Sequence, residues 1–570
     1  MNGADLLCVS LQACGVECVF GLPGTQNVPL YEALRRSRLR SVVPTHELAA
    51  SFMANGYYRA SGRPAALVTI PGPGFAYALP GLAEARHDSA ALVHVTGQPP
   101  AGARRFQFQA IDQQGIAEKL VKGVFHAGSV DELPGAVASA YDLATEGEPG
   151  PVLLDYAGHA LEDVAPRAPS GTRPPRAGPP VLADTALQPL AARLTASRRP
   201  LIMAGQGCAG VAAGLRELAE LIRAPVLTTL SGRGVLPEDH ELALGFEFSR
   251  GDVRVLNELI RESGCVLAVG CKLTSAGTEC FQLDLPPDRL IHVDASVDVL
   301  GATYPAALTL VASAESFLGR LVPVLRDLRV PAAPGWTPDE IGAWKRRLRA
   351  PGPQAGPEPV IRGVGAAAFF AALRRVLPRD GIVVTDSGWH QTVVRRHMEV
   401  YSPRTLIVPS DFQSMGFGLP AAIGAKLAAP ARAVVAVIGD GGFAMTGMEM
   451  LTAVREGVAV TVVVFNDGYL NRIRLQQLAQ YGHSEGCDVL NPGFEEFARA
   501  VGVGYARCEG DVEGTLQTAI GCGHPTLLEV RVGDTLAVRS EAVKGVGRGM
   551  ARRALPNDTR RWLRRIIKRS

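Results

Sequence analysis

Gly439-Asp440-Gly441-Gly442 is the stretch from which the fold of this chain can be read, together with Asn466-Asp467 further along. Five apolar residues, 434–438, precede the first stretch. Residues 448–456 have helical character, and a run rich in Val and Thr, 458–465, leads to the second. Short apolar strands that alternate with helices predict a parallel sheet, with one aspartate after each of two strands.

The two aspartates, 27 positions apart, are predicted to lie close together. Adjacent strands of a parallel sheet end at the same edge, which is where ligands bind. Two carboxylates suit a small cation that prefers oxygen ligands. Gly441 and Gly442 let backbone N–H groups approach a phosphate at the start of a helix. The pattern indicates a divalent cation and a diphosphate, while two ordinary loops are the alternative that this pattern alone leaves open.

A second pattern lies near the N-terminus, at Thr45-His46-Glu47-Leu48-Ala49-Ala50 and Ala54-Asn55-Gly56-Tyr57-Tyr58-Arg59. Residues 42–44 are predicted to form a short strand, and Glu47 opens a helix rich in Ala. A carboxyl group in an apolar pocket can share a proton with a ring nitrogen. The alternative is a first-turn Glu that is stabilised only by the helix dipole.

Together the two patterns resemble the signatures of thiamine-diphosphate (ThDP) enzymes, in the acetolactate synthase and pyruvate oxidase branch. The family has G-D-G followed by N-N, and Asp467 stands where most members have Asn. The resemblance implies that Glu47 bonds N1′ of the cofactor's aminopyrimidine and promotes loss of the C2 proton. It also implies a Mg²⁺ ion held by Asp440, Asp467 and the backbone carbonyl of Tyr469.

Further segments resemble the cofactor site of the same family. Asp386-Ser387-Gly388-Trp389-His390-Gln391 resembles D-x-G-x-H-Q, which implies that His390 reaches the diphosphate. Ser414-Met415-Gly416 resembles the segment whose Met wedges under ThDP and holds its reacting groups together. The cofactor-binding residues that the resemblance implies are Glu47, His390, Gln413 (through its backbone carbonyl), Met415, Gly441, Gly442 and Ile473.

The substrate side of the site is also indicated by resemblance. Phe108-Gln109 resembles the family's F-Q pair that lines this side, and Gln109 is assigned a catalytic role as well. Thr25 stands where some decarboxylases have a catalytic Ser, although its hydroxyl could equally cap a helix. Arg472 replaces a Met and either pairs with an acidic substrate or faces solvent. Gln476 replaces the Trp of biosynthetic acetolactate synthases, which argues against branched-chain biosynthesis.

Composition agrees with a large cytoplasmic enzyme. A chain of 570 residues, 47% of them hydrophobic, is long enough for about three domains. The net charge of +3 gives no sign of nucleic-acid binding. No run has the length of a transmembrane helix, and the N-terminus lacks the pattern of a signal peptide. The ten cysteines form no C-x-x-C pair and are predicted to be thiols rather than disulfides.

Pro-rich stretches at 165–180 and 331–359 divide the chain, the second interrupted by a predicted helix at 339–348. The expected fold is α/β, with three domains of parallel sheets flanked by helices. These are a pyrimidine-binding domain, a central Rossmann-like domain and a diphosphate-binding domain, at residues 1–163, 184–330 and 361–544. Gly205-Gln206-Gly207 in the central domain is weak evidence for a nucleotide, and FAD is a candidate ligand there.

Residues 545–570 form a separate basic tail, in which apolar residues at helical spacing predict a short amphipathic helix. The short apolar face favours packing over the active site or across a dimer, with membrane docking as the minor alternative. The resemblance implies a homodimer or homotetramer, because the family's cofactor lies between the first domain of one chain and the third of another.

The resemblance implies that a 2-ketoacid loses CO₂ and that the resulting enamine attacks a second carbonyl compound. Such carboligation gives an acyloin or an acetolactate-type product. A simple 2-ketoacid decarboxylase that releases an aldehyde is the alternative among enzymes. A non-catalytic ThDP-binding paralogue is disfavoured, because Glu47 is present.

Overall fold

The computed structural model describes residues 1–98, 106–165, 182–245, 253–327, 335–350, 360–361 and 364–533. Three six-stranded sheets follow one another along the chain. All neighbouring strands within these sheets are parallel, and α-helices lie between most of the successive strands. The predicted α/β fold of three domains with parallel sheets is therefore confirmed. The basic tail at 545–570 lies outside the described residues.

The first sheet lies in the part of the chain that precedes the first Pro-rich stretch. Its strands are β1 (Cys18–Gly21), β2 (Arg40–Val42), β3 (Ala65–Thr69), β4 (Leu92–Gly97), β5 (Val124–Ala127) and β6 (Pro151–Tyr156). Its helices are α1 (Gly3–Ala13), α2 (Val28–Arg36), α3 (Glu47–Ser61), α4 (Pro73–His87), α5 (Gln113–Ala117) and α6 (Leu133–Thr145). The strand order is β2-β1-β3-β4-β6-β5. Helix α3 begins at Glu47 as predicted, whereas the preceding strand ends at Val42 and residues 43–46 form a connection.

The central sheet has the strand order of a Rossmann fold. Its strands are β7 (Pro200–Ala204), β8 (Val226–Thr228), β9 (Ala243–Gly245), β10 (Cys265–Val269), β11 (Leu290–Asp294) and β12 (Leu308–Val311). Its helices are α7 (Asp184–Ala196), α8 (Ala212–Ile222), α9 (Val253–Glu262), α10 (Ala314–Asp327) and α11 (Pro338–Arg349). The order β12-β11-β10-β7-β8-β9 reverses between β10 and β7, as in dinucleotide-binding domains.

Helix α11 is the predicted helix within the second Pro-rich stretch, and it belongs to the core of the central unit. Trp336, just before it, donates a hydrogen bond from Nε1 to the carbonyl of Pro200 at 2.9 Å. Ile341 and Trp344 are buried in the same apolar cluster as the central strands. The segment therefore adds a packed layer to the central sheet and does not act only as a connection.

The third sheet repeats the strand order of the first. A short hairpin of β13 (Val360–Ile361) and β14 (Val364–Gly365) precedes β15 (Ile382–Thr385), β16 (Leu406–Ile407), β17 (Val434–Gly439), β18 (Thr461–Asn466), β19 (Gly504–Arg507) and β20 (Thr526–Arg531). The helices are α12 (Ala366–Val376), α13 (Trp389–His397), α14 (Gly418–Ala428), α15 (Asp440–Thr446), α16 (Met450–Arg455), α17 (Asn471–Tyr481), α18 (Phe494–Val501) and α19 (Val512–Gly521). The order is β16-β15-β17-β18-β20-β19, which reverses between β15 and β17.

The chain around the deciding stretch differs in detail from the prediction. Helix α15 begins at Asp440 itself, and a 3-10 turn, Gly447–Glu449, joins it to α16. The sequence predicted a helix only from residue 448, because an Asp-Gly-Gly start has low helix propensity. Strand β18 begins at Thr461, three residues later than predicted, and both aspartates nevertheless follow strands.

The third sheet separates two apolar cores. Along β17, Ala436 and Ile438 belong to the cluster shared with the first unit. Val435 and Val437 belong to the cluster shared with the central unit. Side chains of a strand point alternately to its two faces, so each face of this sheet is buried against a different unit. The edge that carries the candidate site is thus held between two packed layers.

Helices α3 and α14 hold the first and third units together through contact of their backbones. A Cβ atom on Gly56 would lie 2.1 Å from the carbonyl oxygen of Ala421. A Cβ atom on Gly424 would lie 2.0 Å from the carbonyl oxygen of Met53. No side chain fits at either position, so the two glycines set the distance between these units.

Candidate functional site

Asp440 and Asp467 follow two paired strands, as the sequence predicts. Strands β17 and β18 run parallel with Gly439 opposite Phe465, so both aspartates stand at one edge of the third sheet. Asp440 is buried at 2% exposure. Its Oδ1 accepts the N–H of Gly441 at 2.8 Å, and its Oδ2 accepts the N–H of Gly468 at 2.7 Å. Asp440 thus ties the start of α15 to the loop that follows β18.

Asn491 is a further member of this site that sequence reasoning missed. Its Nδ2 donates to Oδ2 of Asp440 at 2.8 Å and to Oδ1 of Asn466 at 3.1 Å. Its own Oδ1 is buried without a hydrogen-bond partner. The only signal in the sequence is the pair Asn491-Pro492, which marks a turn and gives no chemical role.

Asp467 lies in an environment that is unfavourable for a second negative charge. Burial, followed by the charge of Asp440, raises the pKa of Asp467 to about 7. Its Oδ1 accepts the N–H of Tyr469 at 3.0 Å, and its Oδ2 accepts from Nδ2 of Asn471 at 2.9 Å. Asn471, also absent from the sequence prediction, has a buried Oδ1 without a partner. A cation between the two carboxylates would offset their repulsion.

The donor set at this edge fits a Mg²⁺ ion. It offers two carboxylates and the carbonyl of Tyr469, together with two amide oxygens that have no other partner, those of Asn471 and Asn491. Mg²⁺ takes a few protein oxygens and completes its octahedron with water and phosphate oxygens. Within the described residues no group of three or more His, Cys, Asp or Glu side chains could hold a metal by itself. The residues present are therefore suited to a metal that shares its ligands with a diphosphate.

His390 offers a donor next to this edge. It lies at the start of α13, where the chain leaves β15, and burial lowers its pKa to about 4. Its Nε2 is buried without a hydrogen-bond partner, and a Cβ atom on Gly439 would lie 2.9 Å from its Nδ1. A neutral imidazole at this position can donate one N–H to an anionic oxygen. The orphaned nitrogen therefore fits the predicted contact with a diphosphate.

Asp386 organises the turns around His390, and sequence reasoning had given it no role. Burial raises the pKa of Asp386 to about 7, against the effect of several backbone N–H donors. Its carboxylate accepts the N–H groups of Ser387 at 2.6 Å, Gly416 at 3.1 Å and Gly418 at 3.0 Å. A Cβ atom on Gly442 would lie 2.9 Å from Oδ2 of Asp386, so close packing explains this glycine.

The turn at residues 413–416, called here the Met415 turn, reaches over the start of α15. Gln413 has a φ angle of +67°, a conformation that favours glycine, and its Nε2 donates to the carbonyls of Pro409 and Ser410. The Cε of Met415 is 3.5 Å from the position that a Cβ atom on Gly441 would occupy. The half-buried Met415 side chain therefore covers the glycine predicted to approach a phosphate.

Glu47 stands at the corresponding edge of the first sheet. It is half-buried, and Nδ1 of His46 caps its helix by accepting the N–H of Leu48 at 3.1 Å. Its Oε1 lies 3.3 Å from the position of a Cβ atom on Gly74, in the first turn of α4. Glu47 thus borders the start of α4, the helix that follows β3, and the strand order of the first sheet reverses between β1 and β3.

Glu449 links this edge to the third unit. It is buried, and burial raises its pKa. Its carboxylate accepts the N–H of Thr45 at 3.1 Å and hydroxyl hydrogen bonds from Thr45 and Thr452. The residue two positions before Glu47 is therefore fixed by the helical segment that follows Asp440.

The substrate candidates of the first unit lie on loops at the same edge. Nε2 of Gln26, next to the exposed Thr25, donates to Oε1 of Gln109. A Cβ atom on Gly72 would lie 2.5 Å from the carbonyl oxygen of Gln109. Phe108 is 69% exposed, so it is free to contact a substrate or another subunit.

The remaining candidates lie on α17, after β18. Arg472 and Ile473 are exposed and Gln476 is half-buried. Arg395 has a pKa of about 10, lowered chiefly by burial, and the charge of Arg472 contributes to the same shift. Among the described contacts, no hydrogen bond or ion pair joins Glu47 to the aspartates or to His390. Within one chain, the predicted residues therefore form two separate sets, one around Glu47 and one around the aspartates and His390.

Three family models match the chain in succession. The N-terminal TPP binding domain of thiamine pyrophosphate enzymes matches residues 1–116, the central domain 187–321 and the C-terminal TPP binding domain 386–530. A probable acetolactate synthase large subunit from Methanocaldococcus jannaschii is 31% identical over 557 residues, with 93% of this chain and 92% of that protein covered. This chain belongs to the ThDP-dependent enzymes, in the acetolactate synthase-like family.

Other acetolactate synthases show the same extent of similarity to this ThDP enzyme. Acetolactate synthase isozyme 1 large subunit of Escherichia coli is 30% identical over 541 residues, with 93% and 94% of the two chains covered. The large subunit of Lactococcus lactis acetolactate synthase is 30% identical over 521 residues, with 89% and 88% covered. The two TPP-binding domains correspond to the two units that share one strand order.

The glycines of the central domain of this ThDP enzyme have a packing role. A Cβ atom on Gly205 would lie 1.8 Å from the carbonyl oxygen of Gly270, and one on Gly207 would lie 2.9 Å from its Cα. Close approach of the loops after β7 and β10 therefore explains the Gly-x-Gly pattern without a nucleotide. Among the described residues, no helix has the length and apolar character that a membrane span requires.

Proposed function

We propose that the chain is a ThDP- and Mg²⁺-dependent carboligase that decarboxylates a 2-ketoacid and joins the remaining fragment to a second carbonyl compound. The observation that carries this proposal is the pair of carboxylates at one strand edge, the buried Asp440 and the half-buried Asp467, together with the orphaned Nε2 of His390. The similarity to acetolactate synthases along almost the whole chain supports the choice of reaction.

Each set of residues has a distinct role in this proposal. Asp440, Asp467 and the carbonyl of Tyr469 hold the cation, and His390 donates to a diphosphate oxygen. Gln413, Met415 and Ile473 support the cofactor rings, and Gly441 and Gly442 offer backbone N–H groups at the start of α15 to the phosphates. Glu47 holds and moves a proton at a cofactor ring nitrogen. Bound ThDP supplies an electron sink for decarboxylation, which the protein itself lacks.

The substrate side would be formed by Thr25, Phe108 and Gln109 with Arg472 and Gln476 of α17. Gln109 is oriented by its hydrogen bond from Gln26, so its amide is available to direct a substrate carbonyl. Arg472 is exposed on α17, and its guanidinium group suits a carboxylate. FAD is a candidate ligand of the central domain, and the visible absorption spectrum of the purified protein tests for it.

Product analysis tests the proposed reaction. The purified enzyme, loaded with ThDP and Mg²⁺, is incubated with pyruvate and a panel of other 2-ketoacids, alone and in pairs. Products with a new carbon–carbon bond support the carboligase. Release of aldehyde alone would assign a simple decarboxylase, and unchanged substrate in every pair would contradict both activities.

ThDP binding is expected to depend strongly on Mg²⁺. Without the ion, the diphosphate faces the carboxylates of the buried Asp440 and the half-buried Asp467, and the second stands where the motif that this chain resembles has a neutral Asn. Calorimetry is expected to show at least about tenfold weaker ThDP binding with a chelator, or about 1.4 kcal/mol. The Asp467→Asn variant should reduce this dependence. Equal affinity with and without chelator would contradict the assigned metal site.

A homodimer is the proposed minimal active unit, with a tetramer possible. Four exposed apolar residues follow one another at helical spacing along α15, the 3-10 turn after it and α16, and we call them the apolar strip: Met445, Met448, Leu451 and Val454. Such a strip beside a functional edge is typical of a protein interface. A two-fold partner there would supply its own Glu47 to the cofactor held by this chain.

The Met448→Glu variant is expected to dissociate the dimer in sedimentation experiments. A carboxylate at the centre of an apolar interface is buried without a partner, which strongly disfavours association. Val297→Glu, on an equally exposed residue of the central domain, is the matched control and should leave the assembly unchanged. Unaltered association of Met448→Glu would place the interface elsewhere.

A further inference from the structure

Glu84 is a buried carboxyl group that has no part in the proposed reaction. It lies on α4 of the first unit and is fully buried. Its Oε2 accepts the N–H of Ser414, in the third unit, at 2.8 Å. Its Oε1 is buried without a hydrogen-bond partner. Glu84 therefore contacts the Met415 turn directly, at the residue before Met415.

The charged groups that face Glu84 are Asp88, which directly follows α4, and Arg59 of α3. Asp88 accepts from Nη1 of Arg59 at 3.0 Å and from the hydroxyl of Ser410 at 2.7 Å. Arg59 is thus already paired with another carboxylate. Burial, followed by the charge of Asp88, raises the pKa of Glu84 to about 8, although Ser414 and Arg59 act in the opposite direction. The surroundings of Glu84 therefore favour its neutral form over its charged form.

Helix α4 joins the two sets of site residues. Its first turn contains Gly74, next to Oε1 of Glu47. Its last turn carries Glu84, which contacts Ser414, and the residue that follows it, Asp88, contacts Ser410. Fifteen helical residues span about 22 Å. One end of this helix thus borders the proton-transfer residue, and the other holds the turn that covers Gly441.

We propose that Glu84 is a positioning residue whose carboxyl group, through its hydrogen bond from the N–H of Ser414, holds the Met415 turn in place for cofactor binding. The proposal rests on the proposed function only for the identity of the cofactor. Loss of the proton would create a second buried charge beside Asp88, in a site that excludes water. Movement of the turn away from α4 admits water to Glu84 and relieves this cost. The N–H of Ser414 would then exchange with solvent, and Met415 would lose its support.

Hydrogen exchange in the cofactor-free protein tests the positioning role. The wild-type peptide that contains Ser414 is expected to lose protection about fivefold or more between pH 7 and 9, after correction for intrinsic rates. Glu84→Gln keeps the acceptor for Ser414 but carries no charge, so its protection should not change over this range. Glu84→Ala lacks the acceptor and should exchange fast at both pH values.

ThDP affinity and stability give independent readouts. The wild-type Kd for ThDP is expected to rise above about pH 8, and that of Glu84→Gln should stay flat. The folded pKa of about 8 exceeds the ordinary value of 4.5, so the folded state binds more protons and stability falls as pH rises between these values. Glu84→Gln should reduce this fall. Asp294→Asn removes another buried carboxyl with a raised pKa and is the matched control, with unchanged exchange at Ser414.

The outcomes separate this proposal from the proposed function. Wild-type exchange and ThDP affinity in Glu84→Ala would overturn it, as would an unaltered alkaline loss in Glu84→Gln. Should Glu84→Ala fail to fold, the near-isosteric Glu84→Gln decides. If the wild type binds no ThDP while exchange at Ser414 follows the expected pattern, the proposed function fails and the contact of Glu84 with the turn still stands.

Discussion

The Glu47→Gln variant is expected to lose turnover almost completely while it keeps its fold. Gln retains the length and polarity of the side chain but cannot move a proton to a ring nitrogen. A loss well above tenfold in kcat, or more than about 1.4 kcal/mol in activation free energy, is expected for a residue that transfers a proton. The loss in kcat is measured from steady-state rates, with the 2-ketoacid that gives the most product as substrate.

The structure predicts that this variant folds normally. Glu47 is half-buried at the first position of α3, and the cap by His46 does not involve its side chain. The thermal midpoint should therefore match the wild type, and ThDP should still bind in calorimetry. A matched control is Glu32→Gln, because Glu32 bonds only to surface arginines of its own helix. Wild-type turnover by Glu47→Gln would remove the role assigned to this residue.

Two inactive variants, Glu47→Gln and Asp440→Ala, are expected to restore activity when their subunits are mixed. In the proposed dimer each cofactor lies between Glu47 of one chain and Asp440 of the other. A mixed dimer then has one site with both residues intact and one site with neither. Random exchange of equal amounts should make half of the dimers mixed and restore about a quarter of the wild-type sites.

The controls for this experiment are the two variants alone, each taken through the same dissociation and reassembly. Neither should gain activity, and exchange of subunits is verified with a mass-tagged chain. If mixed dimers form and activity stays absent, both residues must serve a cofactor within one chain. Sedimentation that shows an active monomer would also contradict the shared site, because that site requires residues from two chains.

Much of the fold was predictable because local patterns determine it. The strands that precede Asp440 and Asp467 are apolar runs, and a helix that starts at Glu47 follows from its Ala-rich sequence. Parallel packing then requires the ends of adjacent strands to meet, so the meeting of the two aspartates needed no knowledge of distant contacts. The helix at Asp440 was missed, since its Gly-rich start has low intrinsic propensity and is held by packing.

The missing parts of the site depend on contacts between residues far apart in the chain. Asn491 bonds to a residue 51 positions away, and Glu84 to one 330 positions away. Asp386 acts by accepting hydrogen bonds from the backbone N–H groups of Gly416 and Gly418. The short motif around Asp386 does not reveal this role. Such roles arise only when loops from different strands come together, so neither periodicity nor spacing could have indicated them.

The contact between α3 and α14 limits how the cofactor can reach its site. Backbone atoms touch where Gly56 meets Ala421 and where Gly424 meets Met53, so any side chain added there would force the helices apart at a cost of about 1–3 kcal/mol. A hinge between the first and third units of one chain would have to break this contact. Loading with ThDP must therefore use a route that leaves these units together, either through the exposed segments around Phe108 and Arg472 or by separation of the subunits. In the second case, the rate of cofactor uptake would fall as protein concentration increases.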